Sequence, residues 1–273
     1  MLQHRRCAMA VLLVLAAWPL SAGCEQQAAV DNQQCIAQGY VYYLDGAGGG
    51  SALVNWGGGV KQGLKAAGYN VFGEMYNWET GLGALHDQDA SVEYKRGKAK
   101  DLAARMVAHR KQCEGDPMHI IALSAGTAIA TFTLEALPED CPVDTVVLLG
   151  ASVSADHDMT QALKRVKTRL FIFTSRQDAV LGFLVPLTGT ADREGGGAGP
   201  AGASGFLLPP NASEETRRLY AQKIITIAWT PEFEKAGNFG HHLDNVNEQF
   251  VRDYIAPLIM EGQMASKAKP PAK

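Results

Sequence analysis

Met118-His119-Ile120-Ile121-Ala122-Leu123-Ser124-Ala125-Gly126-Thr127-Ala128-Ile129-Ala130-Thr131-Phe132 is the stretch whose reading decides the fold. An apolar run leads into small residues around a serine. A helix-forming segment follows. The pattern predicts strand, sharp turn and helix, with Ser124 at the apex. A serine held there adopts a strained backbone conformation, and bulk two residues before or after it would clash with the adjoining elements. The usual form is G-x-S-x-G; here Ala122 stands in place of the first glycine. A tight strand-to-helix turn with an inert serine is the other reading of the same residues.

The sequence downstream supplies what a nucleophilic serine needs. Serine is a poor nucleophile until a base takes its proton, and that base needs an acid to orient it. Leu170-Phe171-Ile172-Phe173 reads as a short buried strand, and Asp178 follows it closely. Ile224 to Trp229 reads as another strand, followed by Gly240-His241-His242. Asp178 is the candidate acid, with Asp156 or Asp158 as alternatives. His242 is the candidate base, with His241 as the alternative. The chain order serine, acid, histidine is that of a known triad arrangement.

Upstream, Tyr40-Val41-Tyr42-Tyr43-Leu44 predicts a first strand ending in Asp45-Gly46-Ala47-Gly48-Gly49-Gly50-Ser51. A loop there can offer a backbone amide to an oxyanion, with a second amide from the residue after the serine. Ala47 and Ala125 are the candidates. The same loop also matches a dinucleotide-binding pattern, with Glu74 on a second strand as the ribose ligand. The last glycine of that pattern is a serine here, and nicotinamide cofactors are scarce outside the cell. No cofactor is expected.

The N-terminus reads as an export signal. His4, Arg5 and Arg6 precede an apolar segment from Cys7 to Leu20, which is too short to span a membrane. Leu20-Ser21-Ala22-Gly23-Cys24 predicts lipidation at Cys24, making residues 1–23 a lipoprotein signal peptide and 24–37 a linker. Ordinary cleavage near Ala22-Gly23 would leave a periplasmic or secreted protein instead. Residues 263–273 predict a disordered tail. The formal net charge of −3 over 273 residues indicates neither nucleic acid nor an anionic membrane surface as partner. Cys113 and Cys141 precede strands expected to be neighbours, so they are the disulfide candidates; three free thiols, counting Cys35, is the alternative. His86, Asp87 and Asp89 lack metal-ligand spacing and read as solvated turn residues; no metal site is expected.

Strand patterns fall at about 40–45, 69–76, 118–123, 144–150, 169–174 and 223–229, with helical patterns between them. Strict alternation predicts an α/β fold with a doubly wound, mostly parallel six-stranded sheet. Gly182 to Pro210 predicts a mobile loop at the site mouth, and no cap domain fits. The apolar residues Phe183, Leu184, Val185, Phe206, Leu207 and Leu208 in it suggest an acyl or lipid-like substrate.

These motifs resemble the α/β-hydrolase fold superfamily over residues 38–262. Val146-Val147-Leu148-Leu149-Gly150-Ala151-Ser152-Val153-Ser154, Gly189-Thr190-Ala191-Asp192-Arg193 and Gly240-His241-His242 look like a group of exported bacterial members. The resemblance implies a core lacking the first two strands, in the order 2-1-3-4-5-6. It implies Ser124 as nucleophile, Asp178 as acid and His242 as base, since similar proteins carry Asn-aromatic-Gly-Gly-His where this chain has Asn238-Phe239-Gly240-His241-His242. The elbow departs from the family at Ala122-Leu123, where Gly-His is common. The implied activity is hydrolysis of a small-molecule ester through an acyl-enzyme. A non-catalytic lipoprotein that binds a ligand is the alternative.

Overall fold

The β-branched and aromatic runs form a sheet whose six strands are all parallel. A computed structural model describes residues 39–49, 56–69, 73–193 and 197–260. The strands are β1 (Tyr40–Leu44), β2 (Glu74–Met75), β3 (Met118–Leu123), β4 (Val143–Leu149), β5 (Val166–Thr174) and β6 (Ile224–Ala228). They lie in the order β2-β1-β3-β4-β5-β6, every pair parallel. This is the expected doubly wound α/β sheet in the expected order. Parallel neighbours need crossovers, and helices supply them. The chain moves from β1 outward to β2, then returns past β1 to β3. Their connections therefore diverge above the carboxyl ends of β1 and β3. That divergence leaves a crevice at the switch point.

Alternate residues of each strand feed opposite cores, the period-two consequence of a pleated strand covered on both faces. Tyr42, Leu44, Ile120, Ala122, Val146 and Leu148 join one cluster. Helices α3 (Val92–Gln112) and α4 (Gly126–Ala136) cover it with Leu102, Met106, Ile129 and Phe132. Val41, Tyr43, Ile121, Leu123, Val147 and Leu149 join the other. There α1 (Trp56–Ala66) and the C-terminal helical stretch contribute Val60, Leu64, Phe250, Val251 and Ile255.

Several boundaries differ from expectation for local reasons. The helix expected at about 89–113 is α3, and a short helix the sequence did not signal, α2 (Ala84–Asp89), precedes it. Ser91 separates the two: its hydroxyl accepts from the Tyr94 amide at 3.1 Å and starts α3. Among the described residues of the expected second strand, Glu74–Met75 form the strand paired with β1, and the Tyr76 amide donates to the Tyr43 carbonyl at 2.9 Å. The final helix is divided: a 3₁₀ turn at Asp244–Val246, α9 (Glu248–Phe250) capped by Asn247, and a π-helical stretch Val251–Ile255. Between them lie α5 (Thr160–Lys164), a π turn at Val180–Leu184, α6 (Val185–Thr188), α7 (Ala201–Ser204) and α8 (Glu214–Lys223).

The disulfide expectation is corrected. Cys141 is a free, buried cysteine, while Cys113 is disulfide-bonded, so the pair Cys113–Cys141 does not exist. The partner of Cys113 lies outside the described residues. The physical reason is that β3 has two neighbours. Cys113 enters β3 between the entries to β1 and β4, and adjacency alone does not choose between them. The Cys141 thiol instead meets the Arg110 guanidinium, and burial raises its pKa. Cys24, the signal segment and the tail also lie outside the described residues. No described helix is long and apolar enough to cross a membrane.

Candidate active site

Ser124 directly follows β3, at the switch point. Its φ of 51° is one of two positive values among the described non-glycine residues. Such a conformation costs on the order of 1–3 kcal/mol and persists only where the surroundings enforce it. Here the Ser124 amide donates to the Leu149 carbonyl at 2.9 Å, and its carbonyl accepts from the Thr127 amide at 3.0 Å. The small neighbours are sterically required. A Cβ at Gly126 would lie 2.4 Å from the Asp45 carbonyl oxygen. Ala122 is fully buried, paired with Leu44 on one side and Leu148 on the other. The methyl that replaces the usual glycine hydrogen therefore fits inside the packed sheet.

Asp178 and His242 meet beside it. Asp178 lies four residues beyond β5, buried, and one carboxylate oxygen accepts from the Leu181 amide at 3.0 Å. The other stands 2.7 Å from His242 Nδ1. With Nδ1 donating to Asp178, Nε2 carries the free lone pair. The loop bearing His242 is held from several directions. Ser175 Oγ donates to the Gly240 carbonyl at 2.7 Å, the Gly240 amide donates to Asn238 Oδ1 at 2.9 Å, and Trp229 Nε1 donates to the Asn238 carbonyl at 3.0 Å. His241 points elsewhere: its side chain is 69% exposed and sits 3.1 Å from Asp244. Asp156 and Asp158 are exposed, and Asp158 caps the first turn of α5 through the Thr160 amide at 2.9 Å.

Ser124 and His242 line one cavity of about 240 Å³. Its other walls are apolar: Ala47, Trp56 from α1, Ala84 and Leu85 from α2, Val180 and Val185 across the mouth, and Leu243; Gln88 and Thr188 complete it. The cavity is smaller than the roughly 300–1,000 Å³ typical of drug-sized ligands. Of the expected mouth residues, Val185 lines it. Phe183 is 71% exposed, and Phe206 packs toward the core. Leu207 and Leu208 are exposed and do not line it, and the Leu184 side chain lies outside the described residues. Trp56, Leu85 and Leu243 had no signal in the sequence, because each reaches the cavity from a separate element.

Ala47 lies on the cavity wall, and Ala125 is buried at the start of α4. Among the backbone–backbone bonds of the described turns, loops and caps, neither amide is a donor. The loop carrying Ala47 curls around the Asp45 carboxyl, which accepts from the Gly46 amide at 2.9 Å and the Tyr43 hydroxyl at 3.1 Å. Burial pushes the Asp45 pKa up to about 6, and that of nearby Glu79 up to about 7. Glu74, the ribose ligand of the dinucleotide reading, is committed to an ion pair with Arg105. Asp87 is not a solvated turn residue as expected; it is 1% exposed. Among the described residues no group of three or more His, Cys, Asp and Glu could hold a metal ion.

Chemically, the arrangement offers a hydroxyl, an oriented imidazole and two nearby backbone amides around an apolar cavity. Comparison with protein-family models finds none that matches the chain, and comparison with curated proteins finds no match.

Proposed function

We propose that the protein is a serine hydrolase of the α/β-hydrolase class that cleaves small esters with an apolar acyl group. The observation that carries this reading is the 2.7 Å contact between Asp178 and His242 Nδ1, with His242 and the strained Ser124 sharing one cavity. In the proposed reaction His242 Nε2 takes the Ser124 proton as Oγ attacks the carbonyl carbon. The amides of Ala47 and Ala125 receive the oxyanion. Collapse of the adduct breaks the ester C–O bond, and His242 returns the proton to the leaving alkoxide. Water, deprotonated by the same imidazole, then hydrolyses the acyl-enzyme and regenerates Ser124. No cofactor enters these steps. The sequence around Cys24 supports an exported, membrane-tethered form, because two acyl chains give stable anchoring where one gives only marginal binding.

The test is covalent labelling with a fluorophosphonate together with turnover of short p-nitrophenyl esters. Wild type should be labelled at Ser124 and turn over. Ser124→Ala should lose activity by on the order of a millionfold, and His242→Ala nearly as much. His241→Ala should stay close to wild type. A wild-type protein that is neither labelled nor active would leave a ligand-binding protein in its place.

A further inference from the structure

We propose that Asp87 is a positioning residue for the oxyanion amide of Ala47, a role that rests on Ser124 being the nucleophile. Asp87 sits on α2, the helix whose Ala84, Leu85 and Gln88 line the Ser124 cavity. Its carboxylate reaches 39 positions back to accept from the Gly48 amide at 2.8 Å. It also accepts from the Thr80 amide at 2.7 Å and the Thr80 hydroxyl at 2.5 Å. The peptide plane that carries the Ala47 N–H is thereby bracketed. On one side the Gly46 amide donates to the Asp45 carboxylate. On the other side the Gly48 amide donates to Asp87. The plane itself is held by its carbonyl, since Gly46 O accepts from the Gly49 amide at 3.0 Å.

A trans peptide points its C=O and N–H in opposite directions. Holding the Gly46 carbonyl toward Gly49 therefore turns the Ala47 N–H away from Gly49. With both flanking amides bound to carboxylates, the plane has little freedom left to rotate. Glycine is required for this closure at Gly48: its φ is +83°, and a Cβ there would lie 2.9 Å from the Ala84 side chain. Bonds from amides to carboxylates are stronger than neutral ones, so one buried side chain ties the cavity wall to the oxyanion loop. An oxyanion donor works because it is aimed before charge develops, and loosening this tie would let the amide swing.

Kinetics and inhibitor binding separate this role from simple support of the fold. Asp87→Asn preserves shape but removes the charge and turns one acceptor into a donor. It should lower kcat by on the order of tenfold to a hundredfold, short of the roughly 10²–10³ lost when a donor is deleted outright. KM for p-nitrophenyl butyrate should stay within about twofold, because ground-state binding does not use the amide. Affinity for butylboronic acid, which forms a tetrahedral anionic adduct on serine, should fall in step with kcat/KM. Thr80→Val removes one bond to Asp87 without touching Gly48; it should lower thermal stability and leave kcat within about twofold. Asp87→Ala is the harsher variant, and if it fails to fold Asp87→Asn carries the test. An Asp87→Asn protein with lowered stability but unchanged kcat and boronate affinity would overturn the proposal. So would a rise in KM alone. Loss of labelling and turnover in wild type would instead overturn the nucleophile assignment itself.

Discussion

Gly150 shows how closely the site is fitted at the scale of one residue. It follows β4 with φ +49°, and a Cβ there would lie 3.1 Å from the His242 ring and 3.5 Å from Asp178 Oδ2. The imidazole and its carboxylate rest against bare backbone. Gly150→Ala should therefore act twice. Backbone strain in the left-handed region costs about 1–2 kcal/mol, which a thermal melt would register. The added methyl should also displace the His242 ring. Small misplacements of a reacting group are expensive, so kcat should fall by on the order of tenfold to a hundredfold, measured on p-nitrophenyl butyrate. A mutant that melts lower but turns over normally would show that the ring has room to move. Neither Gly150 nor Asp87 could be assigned its role from sequence. Each acts on a partner distant along the chain, and a glycine or an aspartate in a turn has many commoner reasons to be there.

Strand β3 carries both the elbow and a titratable group with a separate consequence. His119 is fully buried, and burial pushes its pKa down to about 4, with Lys167 adding to the drop and Asp144 opposing it. A histidine whose folded pKa lies below the ordinary 6.5 or so contributes stability that is present above that value. This contribution is lost as pH falls from about 6.5 through 4, where the fold must accept a charge or open. The shift corresponds to about 3 kcal/mol. Urea denaturation at pH 7 and pH 4 should show wild type losing stability more steeply than His119→Gln, whose side chain does not titrate. Parallel curves for the two proteins would mean that β3 tolerates the charge. The position of this strand was legible from its apolar run. Its buried histidine was not singled out, since a lone His in such a run reads as ordinary core.

Across the whole molecule, the segment after Asp178 is tied to the body by buried polar groups. Asp192, 1% exposed, accepts from the Ser154 amide at 3.1 Å and stands 3.1 Å from His157 Nδ1. His157 Nε2 stands 2.7 Å from Glu135 on α4. Lys95 on α3, also buried, donates to the carbonyls of Gln88 and Ala191 at 2.8 and 2.9 Å, and burial lowers its pKa to about 8. Ser154 and Pro200 form an isolated antiparallel bridge. The network explains how a glycine-rich segment, expected as a mobile loop, contributes a cavity wall through Val185 and Thr188. Breaking a buried charge pair by removing one partner typically costs about 3–5 kcal/mol. Asp192→Asn should lower stability by an amount of that order and speed proteolytic cleavage within residues 182–200. Unchanged cleavage would show that the bridge and Lys95 suffice alone.

The sequence by itself determined the α/β alternation and the parallel sheet, while the strand order came only with the resemblance to α/β-hydrolases. Hydrophobic period and turn chemistry are local properties, and right-handed crossovers leave few ways to assemble them. It also placed Ser124 and Asp178 just past strand ends, because a strand followed by small or polar residues is readable within a short window. Only the tertiary structure decided which of two adjacent histidines faces Asp178, since neighbouring side chains point in different directions and the loop is aimed by Ser175, Asn238 and Trp229. Only the tertiary structure gave the cavity its walls, which come from segments far apart in the chain. It alone excluded a bond between Cys113 and Cys141, because a strand inside a sheet has a neighbour on either side. And it alone turned Asp87 from a surface turn residue into a buried acceptor, since its partner Gly48 is close in space and far away in the chain.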